Sequence, residues 1–265
     1  MPTLNNINNI YIGTKKISSI CLGDELIWKP PTYYITFHSY GEHEITLSTS
    51  GYDSDYDEDG DNLDYGPVLY YKYISASIYG SETGWIRWRY KNAIYLPNGA
   101  SFCVAGINPK GISHGNNANG HEYESENFSM FVIQKLTNDA YVECSGSIMS
   151  LIDPYTNPDN VQIPCSGCFA HLFGWCNSLR VAPELSASQF KPYCYYGMFE
   201  NCTSLQSITC KCKSTEYRGT ATKDWVRGVS SSGTFYAPED VINDDMLWTT
   251  GNSGIPTGWT VETFV

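Results

Sequence analysis

One phrase occurs twice in this chain, and that repetition limits the fold more than any other feature. Cys168-Phe169-Ala170-His171-Leu172-Phe173-Gly174-Trp175-Cys176-Asn177-Ser178-Leu179 returns 26 residues on as Cys194-Tyr195-Tyr196-Gly197-Met198-Phe199-Glu200-Asn201-Cys202-Thr203-Ser204-Leu205. In each copy the apolar residues stand at i, i+3, i+4 and i+7: Phe169, Leu172, Phe173 and Cys176, then Tyr195, Met198, Phe199 and Cys202. That spacing predicts one face of a short helix. A Ser-Leu pair ends each copy, and after the first comes an extended, proline-punctuated segment, Val181-Ala182-Pro183-Glu184-Leu185. A helical turn plus a short strand per repeat predicts a stacked array. One such unit cannot bury its own apolar face, so the copies must stack on each other and on a cap at either side.

Elsewhere the pattern is β. Ile10-Tyr11-Ile12, Ile17 to Leu22 and Leu26-Ile27-Trp28 alternate and are separated by Gly13-Thr14 and Gly23-Asp24, which predicts a three-stranded meander. A ribbon this small is not stable alone and must dock on something. Pro30-Pro31 then makes a stiff boundary without backbone donors. From Tyr33 onward short alternating runs recur: Tyr33 to His38, Ile45 to Leu47, Val68 to Ile78, Trp85 to Leu96, Phe102 to Ala105, Phe128 to Ile133 and Tyr141 to Cys144. Short strands at this rhythm predict a sandwich. Two polar loops interrupt them, the acidic Ser50 to Gly66 and the Gly/Asn-rich Gly106 to Asn127. Loops this long in a compact domain are functional or disordered.

The segments "MFENCTSLQSI" and "LFGWCNSLRVAPEL" resemble the BspA-type leucine-rich repeat of surface proteins and phages of gut Bacteroidales. Ser145 to Leu151 resembles the segment that leads into such repeats, although Ser147 stands where the family pattern has Asn. Trp225 to Gly233 and Gly254 to Val261 resemble the cap that closes them, so the likeness covers roughly residues 85–265. "IYIGTKKISSICLGDELIWK" resembles an N-terminal adaptor module on structural proteins of Bacteroidales phages. The expected architecture is mainly β: a small N-terminal attachment meander in 1–29, a β-sandwich-like domain in 32–141, and a short leucine-rich repeat solenoid with C-terminal cap in 142–265. The resemblance implies a non-enzymatic virion protein, a head or tail fibre or decoration exposed on the particle. Its expected partners are other virion proteins through residues 1–29 and host-surface or mucosal glycans. Fibres multiply weak sites, so a homo-oligomer is expected, a trimer in particular. The alternative is a bacterial cell-surface adhesin or carbohydrate-binding module.

Charge narrows the field. A net charge of −12 lacks the basic face that nucleic acid requires. No run has the length of a membrane span, and Met1 to Lys29 has no apolar core of leader length, which predicts folding in a cytoplasm and favours the virion over a secreted adhesin. The ten cysteines are then expected as thiols rather than disulfides. Cys165-x-x-Cys168 and Cys210-x-Cys212 could serve as zinc ligands, but the second pair is too tight for a knuckle, and repeat packing is the preferred reading.

No catalytic set emerges. His38, His43, His114, His121 and His171 have no spacing to an activated nucleophile, and no nucleophile elbow or phosphate loop is present. A carboxylate pair for glycoside cleavage has no sequence signature either way. Trp85, Trp88, Tyr90 and Tyr95 could stack on sugars, although aromatics at strand spacing more often pack in a core. The sharpest chemical candidate is Asp53-Ser54-Asp55-Tyr56-Asp57-Glu58-Asp59-Gly60-Asp61. Its D-x-D-x-D-G pattern offers Asp55, Asp57, Asp59 and Asp61 as calcium ligands. Gly66 stands where a closing bidentate Glu belongs, so the other reading is a solvated acidic loop.

Overall fold

In the computed structural model the described residues are 11–12, 15–16, 20–22, 25–28, 34–49, 67–74, 85–89, 92–113, 128–154, 162–214, 216–242 and 248–264. The chain parts into two units, Met1–Tyr33 and Tyr34–Val265. In the first unit β1 (Tyr11–Ile12) pairs antiparallel with β2 (Lys15–Lys16), and β3 (Ile20–Leu22) pairs antiparallel with β4 (Glu25–Trp28). These are two separate ribbons, where alternation predicts one three-stranded meander. Each pair is joined by a two-residue link containing glycine, which favours pairing between immediate neighbours.

The second unit is also mainly β. Its strands are β5 (Ile35–Tyr40), β6 (His43–Thr49), β7 (Leu69–Tyr73), β8 (Ile86–Trp88), β9 (Ile94–Leu96), β10 (Ser101–Gly106), β11 (Ser129–Lys135) and β12 (Tyr141–Ser145), followed by β13 (Leu179–Val181), β14 (Ser207–Thr209), β15 (Thr234–Pro238) and β16 (Thr260–Phe264). Among the described residues it also holds two single-turn helices, α1 (Arg218–Ala221) and α2 (Glu239–Ile242), and a 3-10 turn at Ile148–Leu151. A nine-stranded sheet runs β16-β15-β14-β13-β12-β5-β10-β7-β8, and a three-stranded sheet runs β11-β6-β9. The Trp85 to Leu96 run therefore divides between the two sheets, β8 in one and β9 in the other.

β12 is the strand on which the large sheet changes character. It is antiparallel to β5 and parallel to β13, and every pairing beyond it, through β16, is parallel. The expected boundary at 141/142 falls at the start of this shared strand. Close to the junction the chain makes a tight approach at Gly146, whose φ is +74° and where an added Cβ would run into the Tyr34 carbonyl. Only glycine fits there without backbone movement.

Between the parallel strands the chain does not form the predicted helices. Residues 167–176, 193–202 and 221–229 form three stacked layers of consecutive turns. The N–H groups of Gly167, Phe169, His171, Phe173 and Trp175 donate to the carbonyls of Pro192, Cys194, Tyr196, Met198 and Glu200 at 2.7–3.0 Å. The intervening N–H groups of Ala170, Leu172, Gly174 and Cys176 close turns onto the residue three back, at 2.9–3.2 Å. The second layer is joined to the third in the same way, Tyr195, Gly197, Phe199 and Asn201 donating to Ala221, Lys223, Trp225 and Arg227. Positive φ recurs in step: His171 (55°) and Trp175 (61°), Gly197 (57°) and Asn201 (58°), Asp224 (53°) and Gly228 (74°). A helix cannot hold such residues. Over eight residues a four-residue turn period and a 3.6-residue helical period place apolar side chains identically, so the spacing alone does not separate them.

The burial that the spacing predicts does occur. Phe169, Leu172, Phe173, Cys176, Tyr195, Met198, Phe199 and Cys202 are all at most 1% exposed. Trp225, at a position resembling a cap, lies inside the third layer and is fully buried. The stack is closed at both ends. On one side Ser113 and Phe131 donate to the Cys168 and Leu172 carbonyls at 3.0 and 2.8 Å. On the other, Asn252, Ser253 and Gly254 accept from Val226 N–H, Thr222 Oγ1 and Trp225 Nε1 at 3.1, 2.7 and 2.8 Å.

One aromatic file links the two halves. Phe102 stacks on Phe37 (4.9 Å), Phe37 meets Phe131 (5.3 Å), Phe131 meets Phe173 (5.3 Å) and Phe173 stacks on Phe199 (5.8 Å). The file continues through Trp225 to Trp248. Each fully buried side chain of this size contributes roughly 1.5–3 kcal/mol by transfer from water.

Candidate binding surface

Strand alternation sends Ile35, Phe37, Phe102, Val104, Val142 and Cys144 into the core and leaves their neighbours on the outer face of the large sheet. One cross-strand row on that face reads Thr260, Thr234, Ser207, Val181, Glu143, His38 and Ser101. The face is rich in hydroxyl groups, with two features of chemical interest.

The first is a polar knot at its centre. The His38 ring spans two serines, with Nδ1 2.9 Å from Ser101 Oγ and Nε2 2.8 Å from Ser145 Oγ. Burial holds the imidazole below its ordinary pKa, against the opposing pull of Glu143. A nucleophile-activating system places a carboxylate on the second ring nitrogen to stabilise the imidazolium. Here a hydroxyl stands in that place. Glu143 serves Tyr40 instead, accepting a hydrogen bond from its hydroxyl, and this negative charge raises the Tyr40 pKa. The knot thus ties β5, β10 and β12 across the face. Beside it Tyr40 stacks on Tyr141 at 4.6 Å, and the Arg180 guanidinium lies 3.5 Å above the Tyr141 ring. That contact is a cation–π pair bridging β12 to the first parallel strand.

The second feature is a pocket of about 200 Å³ toward the β7–β8 edge, lined by Tyr34, Tyr70, Trp85, Ala105, Gly106, Ile107 and Pro154. Tyr34 and Trp85 meet edge to face at 5.0 Å. Trp85 keeps 41% of its surface exposed. Arg87 lies over the outer Tyr70 ring at 5.5 Å and donates to the Leu69 carbonyl at 3.4 Å. The four aromatics that offer either sugar stacking or core packing thus divide: Trp88 is core at 1% exposed, Trp85 and Tyr95 are exposed, and Tyr90 lies outside the described residues.

At the rim of the stack His171 is buried beneath Phe128, Trp175 and Tyr196, with ring centroids at 4.3, 5.6 and 4.8 Å. Its Nδ1 lies 3.8 Å from Glu200 Oε2, and Arg227 donates to Glu200 Oε1. Burial lowers the His171 pKa, Glu200 opposes that shift, and Arg227 adds to it. One residue from each layer therefore meets in a single polar cluster, whose ion pair is Arg227–Glu200.

The calcium candidates Asp55, Asp57, Asp59 and Asp61 lie outside the described residues, as do His114 and His121. Among the described residues no group of three His, Cys, Asp or Glu side chains is placed to hold a metal ion. Nine cysteines, those from Cys103 to Cys212, are free. Burial pushes Cys176 up to about 12 and raises Cys168 and Cys202 well above the ordinary thiol value. The cysteine shared by the first two layers closes a local contact, since Cys176 Sγ donates to the Phe131 carbonyl at 3.1 Å and Cys202 Sγ to the Phe173 carbonyl at 2.9 Å. A small side chain with a weak donor suits that position in both.

Comparison with protein-family models, curated proteins and solved structures finds no match for this chain. Sequence reasoning missed Tyr34, Tyr70, Arg87 and Ile107, whose meeting depends on four separate segments. The one signal available was alternation in Tyr70-Tyr71-Lys72 and Trp85-Ile86-Arg87, which places Tyr70, Lys72, Trp85 and Arg87 on one side of a strand pair.

Proposed function

We propose that the protein is a non-enzymatic structural component of a bacteriophage virion, a surface-exposed adhesive fibre or decoration attached through residues 1–29. The observation that carries the reading is the division of the chain into a small unit, Met1–Tyr33, and a large mainly β unit that presents a hydroxyl- and aromatic-rich sheet face. Two two-stranded ribbons cannot support a core of their own and suit a segment that is completed by a partner. The resemblance of residues 10–29 to a phage adaptor and of residues 145–261 to BspA-type leucine-rich repeats supports the same reading. On it, the stacked layers are such repeats and the protein assembles as a trimer. Deleting residues 1–29 should leave residues 31–265 folded and absent from purified particles. Normal incorporation of the truncated protein would overturn the attachment role. Light scattering of the purified chain at micromolar concentration should give the trimer mass, and a clean monomer would contradict that assembly.

A further inference from the structure

We infer that the pocket between Tyr34, Tyr70 and Trp85 is a subsite for one acidic sugar ring, a pyranose bearing a carboxylate. The inference rests on the adhesive reading above and names its ligand class. A volume of about 200 Å³ is below the range of drug-sized sites and accommodates a single ring. Tyr34 and Trp85 stand at 73° to one another, forming a corner with the indole exposed. The C–H face of a pyranose stacks on such a ring while its hydroxyls remain toward the polar sheet face, so aromatic contact and hydration are kept together.

Charge then selects among sugars. The chain carries −12 overall, yet the strands beside the pocket, residues 67–74, 85–89 and 101–113, contain Lys72, Arg87, Arg89 and Lys110 and no Asp or Glu; an acidic residue, Asp153, flanks the lining at Pro154. Arg87 stands beside the pocket wall formed by Tyr70 and, among the described residues, has no carboxylate within ion-pair distance. Elsewhere in the same unit Lys211 pairs with Glu184 at 2.9 Å, and Arg180 covers Tyr141. A guanidinium held over an aromatic ring, with donors left over, suits a planar carboxylate. Uronates and sialates share that carboxylated ring, and the two sources are separated by testing both.

The test titrates the full chain with D-glucuronate, N-acetylneuraminate, D-glucose and benzoate, following tryptophan fluorescence and ligand NMR saturation transfer. Glucuronate or N-acetylneuraminate should bind and glucose should bind more weakly; the stronger acid identifies the source. Arg87→Gln should weaken the acidic sugar on the order of tenfold and leave glucose unchanged. Trp85→Ala should abolish both. Both side chains are solvent-facing, so thermal midpoints should stay within a few degrees, and Arg87→Lys should restore part of the affinity. Equal binding of glucose and glucuronate, an unaffected Arg87→Gln variant, or tighter binding of benzoate than of either sugar would overturn the assignment. Absence of sugar binding in a protein still incorporated into particles through residues 1–29 would remove this inference alone and leave the virion role standing.

Discussion

The antiparallel half of the large unit and the stacked half meet the same two demands in different ways. Both must bury apolar side chains and satisfy every backbone N–H. The antiparallel half does so within its sheets, which leaves one face of each strand free for other uses. The stack does so between layers, so that residues 168–174 are buried without a break and only its rim reaches solvent. Strand faces can therefore vary without disturbing the backbone hydrogen bonds, whereas a change in one layer is felt by the next. That is why the pocket and the polar knot belong to the first half, and why the stack is occupied by packing.

The largest expected effect tests whether these halves are separable at all. Phe199→Ala in the stack and Phe131→Ala at the junction should each lower stability by about 3–5 kcal/mol. Because the aromatic file is continuous, each variant should unfold in one transition by both tryptophan fluorescence and circular dichroism. A stack that melts while the antiparallel half stays folded would separate the two.

Next is pH. His43 is fully buried; Ser39 Oγ, 2.8 Å from the Gly41 carbonyl, donates there, so the His43 Nδ1–H donates to Ser39 at 2.7 Å and Nε2 is left without a partner. Burial, with a smaller contribution from Lys135, lowers its pKa to about 4. The unfolded chain then binds the extra proton first, so stability is complete above the ordinary histidine value and falls as pH drops from about 6.5 toward 4. The loss should approach roughly 3 kcal/mol in urea titrations, and His43→Gln should flatten the profile. His171, the counterpart in the stack, is shifted in the same direction but has Glu200 beside it. His171→Gln should change the pH profile less.

Backbone substitutions sharpen the comparison further. Gly197→Ala puts a side chain at φ +57° and into the His171 ring, and should cost about 2 kcal/mol, whereas Gly174→Ala, whose nearest neighbour would be 3.3 Å away, should cost less. In the antiparallel half the exposed Asp139 sits at φ +58° in the turn between β11 and β12, where no second layer rests on it. Asp139→Gly should raise stability by up to about 1 kcal/mol in the same assay.

What could be read in advance follows from the same contrast. Strands β5, β6, β7, β10, β11 and β12 are legible because a period of two is unmistakable over five or six residues, as in Ile35-Thr36-Phe37-His38, whereas the Trp85 to Leu96 run does not announce its division into the three-residue β8 and β9. The apolar positions of the layers are legible too, but their backbone is not, because the turn period and the helical period diverge only over longer stretches. Two further features leave no local trace. Nothing in Tyr141 to Cys144 announces that one edge of that strand will be paired parallel. Nothing in Tyr34, Trp85 or Ile107 announces that the three will share a pocket.

Native-state hydrogen exchange tests the central structural claim, one cooperative unit with layer-to-layer hydrogen bonds, most directly. The amides of Phe169, Phe173 and Phe199, which donate across layers, and of Phe131, which joins the antiparallel half to the first layer, should exchange only through global unfolding. Their opening free energies should be equal and match the denaturant value. Faster exchange at Phe169, Phe173 and Phe199 than at Phe131 would mean that the stack opens alone, and the shared core would be wrong.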